Sequence, residues 1–256
     1  MILTDTHTHL YADEFETDRD EMMQRALNEG IERMFLPNID SSSISGMMEL
    51  TKKYPNNCFP MMGLHPCSVT ENVEKEIEFI DEWLSKYQFC AIGEIGIDLY
   101  WNKTLFEQQR FAFIHQIKLA KKFELPIVIH ARDSFDEIFE IIDELNDEQL
   151  KGVFHCFTGT SDQAQKIIDY GGFMLGIGGV VTFKNSGLDQ VVADIPLEHI
   201  LLETDSPYLT PTPNRGKRNE TAYLRLIADK ISVIKNKPVG KIAQITTNNS
   251  KIIFGL

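Results

Sequence analysis

The chain has 256 residues, 43% hydrophobic and 25% charged, with a formal net charge of −13 from 25 Lys and Arg against 38 Asp and Glu. That is the make-up of an ordinary soluble globular protein, long enough to bury a sizeable core as one large domain or two small ones. It excludes a long-range basic grip on nucleic acid, a membrane span, and (with four scattered cysteines and no CxxC pair) a disulfide scaffold or zinc knuckle.

Short apolar runs alternate with longer amphipathic segments along the chain. The first, "ILTDTH", leads into His7 and His9, whose spacing puts both on one face of a strand. "RMFLPNI", "CFPMMGLH" and "FCAIGE" follow as strands two to four, the third ending at His65 and the fourth at Glu94. Between them and beyond, "ENVEKEIEFIDEWLSKY" and "LFEQQRFAFIHQIKLAKKF" repeat apolar residues at helical spacing. "PIVIHA" carries His130, "GVFHCF" carries His155, "FMLGIG" is the seventh run and "HILLETD" ends at Asp205. The tail from Glu220 to Phe254 reads as helix broken near Pro238.

Eight strand candidates alternating with helices in about 250 residues predict an α/β (β/α)8 TIM barrel, a single domain over residues 1–256 with extra C-terminal helices. An open doubly wound sheet is the competing architecture. It expects a glycine fingerprint after the first strand, where this chain has "THLYADEF". With no basic-apolar leader at the N-terminus, the expected compartment is the cytoplasm.

Barrel active sites form at the C-terminal ends of the strands. Five of the seven histidines fall there: His7, His9, His65, His130 and His155. His115 lies mid-helix, and His199 begins strand eight on the opposite face. Glu94 and Asp205 share the strand-end position. Left unpaired, such a set would be a costly group of part-buried polar side chains. A catalytic ion usually takes three protein ligands and keeps one position open. Four histidines (His7, His9, His130, His155) and two carboxylates therefore suit two divalent ions per chain. Glu94 would bridge them, with His7, His9 and Asp205 on one ion and His130 and His155 on the other. The mixed N/O set suits Zn, Mn, Ni, Co or Fe, with Mg possible for activity.

Taken in order, "TDTHTHL", "GLHP", "GEIGID", "PIVIHARD", "GVFHCFTG", "GIGGVVTFKN" and "LLETDSPYLTPTPNRGKRNE" resemble the motifs of the TatD family of metal-dependent deoxyribonucleases, amidohydrolase-like TIM barrels. The resemblance runs from Asp5 to the closing "NNSKIIFG". It implies the same six metal ligands, a substrate contact at His65 and another at Arg132. The chain departs from the pattern at Leu99-Tyr100-Trp101, where many relatives have tyrosine directly after the aspartate, and at Thr221, where proline is common.

Together these point to phosphodiester hydrolysis with two metals about 3.5–4 Å apart. Asp205 would act as general base, Glu94 would bridge, His65 would donate to a phosphate or leaving oxygen, and Arg132 would grip phosphate. The plainer reading of Arg132 is an ion pair with Asp133 or Asp136. Asp98 and Tyr100 are further substrate-side candidates. Asp98, like the inward-facing Glu203, is alternatively a candidate support for a ligating histidine, or caps the turn after it. Tyr100 and Trp101 stack on an unpaired base or pack the barrel mouth. Arg215, Lys217, Arg218 and Lys184 form either a local basic rim or a solvated loop. The expected substrate is a DNA end or other nucleotide phosphodiester, with no membrane and no obligate protein partner. The competing activity is ester or amide hydrolysis, including an aminoacyl ester on tRNA (D-aminoacyl-tRNA). A non-catalytic metal-binding protein is the third reading.

Overall fold

In the computed structural model, which describes residues 1–101 and 103–255, eight strands run parallel: β1 (Leu3–Asp5), β2 (Ile31–Leu36), β3 (Cys58–Pro60), β4 (Ile92–Asp98), β5 (Ile127–Arg132), β6 (Gly152–Phe154), β7 (Phe173–Ile177) and β8 (Ile200–Leu202). β1–β3 pair in sequence order, and so do β4–β8. Main-chain hydrogen bonds beside the strand ends join these two arcs. At one seam Met62 N donates to Ala91 O (3.1 Å) and Gly93 N to Met62 O (3.0 Å). At the other, Thr6 N donates to Leu202 O (3.0 Å) and Asp205 N to His7 O (2.9 Å). The expected (β/α)8 barrel is the observed fold.

Helices α1 (Arg19–Asn28), α2 (Ile44–Lys53), α3 (Val73–Lys86), α4 (Phe106–Phe123), α5 (Phe135–Leu145), α6 (Ser161–Asp169) and α7 (Leu188–Asp194) alternate with the strands. The predicted tail helix divides where expected. α8 (Leu224–Lys235) ends at Asn236 in the left-handed region, and Pro238 precedes α9 (Val239–Phe254), since proline suits a helix start and not its interior. α6 starts on a capping box in which the Thr160 side chain accepts from Gln163 N and the Gln163 side chain accepts from Thr160 N.

Strand alternation sorts the apolar residues into two layers. Ile127, Ile129, Phe154, Leu175 and Ile200 pack outward with the helices. Phe35, Val128, Val153, Met174 and Leu201 form the inner cluster, with the ring of Phe254 of α9 tilted against that of Phe35, centroids 4.2 Å apart, as a plug beneath it. The same parity carries upward: His130, His155 and Glu203 stand two residues past Val128, Val153 and Leu201, so they face the barrel mouth. β4 reaches its inward position differently. Its register shifts between Ile92 and Ile95, so Ala91 and Glu94 both point inward although they are three residues apart.

Candidate active site

The six expected ligand residues and His65 converge over the top of the barrel. Glu94 stands at the centre and is almost wholly buried. Its Oε2 faces His7 Nε2 at 3.0 Å and His9 Nε2 at 3.7 Å. Its Oε1 faces His130 Nδ1 at 2.8 Å, His155 Nε2 at 3.1 Å and His65 Nε2 at 3.3 Å. Asp205 Oδ1 completes the first group, 3.7 Å from His7 and 3.4 Å from His9. Burial works to raise the Glu94 carboxyl, but the imidazoles of His155, His65 and His7 outweigh it and hold it well below the usual range. Asp205 is likewise lowered against burial, by its His9 hydrogen bond and the neighbouring imidazoles.

His7 and His9 reach this centre by a route other than strand alternation. β1 stops at Asp5 and the chain bends at Thr6–His7. The bend is pinned across the β8–β1 seam: Asp5 accepts from Thr204 N (2.9 Å) and Thr204 Oγ1 (2.6 Å), and His9 N donates to Ser206 O (2.8 Å). Burial pushes the Asp5 carboxyl up to about 7, against the Thr204 hydrogen bonds. Asp205 itself sits at φ 54°, a left-handed conformation that aspartate tolerates better than most side chains. Asn219 braces that turn by donating to Thr204 O (2.8 Å) and Tyr208 O (2.6 Å).

Behind the ligand atoms a second ring of groups sets which imidazole nitrogen faces inward. His130 Nε2 donates to Asp98 Oδ2 at 2.9 Å, leaving Nδ1 toward Glu94. His155 Nδ1 donates to Glu203 Oε1 at 3.1 Å, and Cys156 N donates to the same oxygen. Tyr11 gives its hydroxyl proton to Pro37 O, so it accepts from His9 Nδ1 (3.1 Å). His65 is the opposite case. Its Nδ1 accepts from Cys67 N at 3.0 Å, which places the ring proton on Nε2 and makes that atom a donor into the site. Burial lowers its pKa, in keeping with a neutral ring.

Two donors about 2.1 Å from one ion at the tetrahedral angle lie roughly 3.4 Å apart. The contacts of His7, His9 and Asp205 with one another and with Glu94 Oε2 span 3.0–3.7 Å, and His130 and His155 meet Oε1 at similar range. The donor set therefore fits metal binding around Glu94, where His7, His9 and Glu94 bring one ligand atom each within 4.8 Å of one another. His65 Nε2 lies close to the same carboxylate, in a group with Glu94 and His130, but its Nδ1 is spent accepting from Cys67 N.

Several substrate-side expectations change. Asp98 is 1% exposed, lines the cavity, spends Oδ1 on Tyr100 N (3.0 Å) and Trp101 N (2.9 Å) and Oδ2 on His130, and so holds His130 and caps the turn. Burial would raise its carboxyl, but the His130 and Trp101 hydrogen bonds bring it down to about 2. Arg132 lies over the Tyr100 ring, Cζ 4.1 Å from the centroid, in place of an ion pair with Asp133 or Asp136. The basic rim dissolves. Arg218 pairs with Asp18 (2.6 and 2.8 Å) and Arg215 covers Phe183 at 3.6 Å. Neither these two nor Lys184 and Lys217 line the cavity of about 610 Å³ above the cluster. Tyr11 and Asn219 escaped sequence reasoning. Tyr11 carries one signal, its position two residues past His9, whereas Asn219 acts on distant carbonyls and carries none.

Comparison with known proteins matches residues 4–255 to the family described as TatD related DNase. The metal-dependent hydrolase YabD of Bacillus subtilis is 39% identical over 99% of both chains. The 3'-5' ssDNA/RNA exonuclease TatD of Escherichia fergusonii is 30% identical over 98% of each. The crystal structure of YjjV, a TatD homolog from Escherichia coli K12, superposes with a TM-score of 0.93 at 28% identity, covering 99% of this chain and 98% of that one.

Proposed function

This chain belongs to the TatD related DNase family and is a metal-dependent hydrolase, and from that premise we propose that it is a two-metal phosphodiesterase trimming 3' ends of single-stranded or frayed DNA in the cytoplasm. The observation that carries the reading is the position of Glu94, whose two oxygens face separate histidine groups across a buried centre. The name of the relative from Escherichia fergusonii supports the polarity and the unpaired substrate. A pocket confined to one barrel mouth also admits a strand end more readily than intact duplex.

His7, His9 and Asp205 would hold one ion and His130 and His155 the other, with Glu94 between them. Zn, Mn, Ni, Co or Fe suit the donors. Bound there, the ions supply an activated water and neutralise charge on the phosphoryl oxygens. The chain's own groups do the rest. Asp205, held ionised, takes the proton of the attacking water; its side chain is 13% exposed where that of Glu94 is 3%. His65 gives a hydrogen bond from Nε2 to a phosphate or leaving oxygen. Arg132 binds the phosphate from the cavity wall.

The test is hydrolysis of 5'-labelled linear and of circular single-stranded DNA by chelated protein and after re-addition of each ion. Expected are loss of activity on chelation, its return with a transition metal, stepwise shortening of linear strands and intact circles. Equal cutting of circles overturns the exonuclease reading. Inertness on diesters with turnover of aminoacyl or other carboxylic esters replaces phosphodiesterase with ester hydrolase.

A further inference from the structure

Two cavities meet at one arginine. The space above the ligand cluster, about 610 Å³, adjoins a groove of about 1030 Å³ bounded by the first turns of α5, α6 and α7. Ala131, Arg132 and Thr158 line both. Among the described residues, Arg132 is the one Lys or Arg lining either, so a polyanion entering the mouth meets its fixed cationic partner there. Asp133, Asp136 and Glu137 on the groove side turn phosphate away from that direction.

The loop after β4 supplies two rings at this junction, in different settings. Tyr100 lies under Arg132, Cζ 4.1 Å above its centroid, so the guanidinium covers that face. Trp101 meets Tyr100 edge-on, with centroids 4.9 Å apart and planes at 89°. Trp101 is 68% exposed and lines the inner cavity, while Tyr100 lines the outer groove. Arg132 Cζ also stands over the Trp101 ring, 5.4 Å from its centroid and farther than from Tyr100; a large aromatic that stays so exposed contributes little to the core and keeps surface for a ligand's π-face. Its position is nonetheless held. Asp98 Oδ1 accepts from the backbone of both Tyr100 and Trp101, and Asp98 Oδ2 from His130. One carboxylate thus ties the ring platform to a ligand of the candidate metal centre.

We propose that Trp101 stacks on the nucleobase beside the scissile phosphate, that Arg132 takes that phosphate, and that Tyr100 is a positioning residue acting through Arg132. The inference rests on the nuclease reading and deepens it. It makes selection of unpaired strands a property of the platform, because a base within duplex presents no free face.

The chain has two tryptophans. In the full-length Trp83→Phe variant, chelated to prevent cleavage, Trp101 is therefore the sole indole reporter. Single-stranded oligonucleotide is expected to quench it saturably, and the same strand with abasic sites, or a blunt duplex, to bind at least about tenfold more weakly. By fluorescence anisotropy on the wild-type background, Trp101→Ala should weaken single-strand binding about 5- to 150-fold. That measurement decides the matter should Trp83→Phe not fold. Tyr100→Ala and Arg132→Ala should each flatten the salt dependence of binding, with the double variant no weaker than Arg132→Ala alone. Equal binding of the abasic strand, or additive losses from Tyr100 and Arg132, overturns the assignment. Hydrolysis of bis(4-nitrophenyl) phosphate, a diester without a nucleobase, separates the two readings. Turnover of it by metal-loaded wild type, with no quenching of Trp101 by single-stranded oligonucleotide in Trp83→Phe, overturns the platform alone, whereas failure on every diester overturns the nuclease.

Discussion

Gly176 on β7 makes room for the carboxylate that orients His155. A Cβ built there would lie 2.1 Å from Glu203 Oε2 and 2.7 Å from its Cδ, where real Cβ contacts essentially never fall below 3.0 Å. Glu203 is fully buried, and Oε2 has no hydrogen-bond partner among the described residues, so packing against Gly176 sets its position. Gly176→Ala must drive the carboxylate off by about 1 Å, at an overpacking cost of about 2 kcal/mol. For a chain of this length that lowers the melting temperature by roughly 4–8 °C. The displacement also breaks the 3.1 Å hydrogen bond to His155 Nδ1, and loss of such a support typically weakens metal binding about 10- to 100-fold. Calorimetric titration with Mn or Zn, alongside a thermal melt, measures both effects. Glu203→Gln, which keeps the shape, should weaken metal binding with a much smaller change in melting. A Gly176→Ala protein with wild-type melting and wild-type affinity for both ions would refute the steric argument.

Three further outcomes are expected. Asp98→Asn removes the charge that holds His130 Nε2, so metal affinity measured by competition with a chelating dye should fall about 10- to 100-fold; unchanged affinity would release Asp98 from that role. Asp205→Asn retains an oxygen ligand but loses the base, so turnover at saturating metal should drop about 10²- to 10⁴-fold, and a loss under tenfold would reassign the proton. The third concerns acid stability. Hydrogen bonds from Arg218 and Arg25 hold the Asp18 carboxyl well below its ordinary 3.8. A depressed folded-state pKa stabilises above the unfolded value and is lost as pH falls through it toward the folded one. Arg218→Ala, at a partly exposed site, should therefore cost about 1 kcal/mol in urea unfolding at pH 7 and less below pH 4; an equal cost at pH 3 would contradict the linkage.

Much of the site could be read from the sequence because two periodicities coincide. Strand alternation puts His130, His155 and Glu203 on the inner face, and parallel βα order puts them at one end. What escaped lies where the chain leaves regular structure. The His7–His9 pair looked like neighbours on a strand, yet a bend and the Asp5–Thr204 hydrogen bonds bring them inward. Glu94 depends on a register shift that no alternation pattern reveals. Arg218 read as a substrate cation because its partner, Asp18, is 200 residues away in sequence. The Tyr100–Arg132 contact was equally hidden, since nothing in the sequence showed that Arg132 would cover that ring.

The seam between β8 and β1 joins positions separated by up to 199 residues. Until the ribosome has made the segment around Asp205, the opening His7 and His9 have Glu94 but not Asp205 to face, and the first strand has an open edge. Hydrolytic competence therefore waits on the segment after the eighth strand, and a product terminated before it would carry imidazoles without the group proposed to accept the proton. Long sequence separation at closure also slows folding, because chain entropy must be spent before the contact forms. Ions captured at that seam would then act as a clasp, holding the first strand to the eighth.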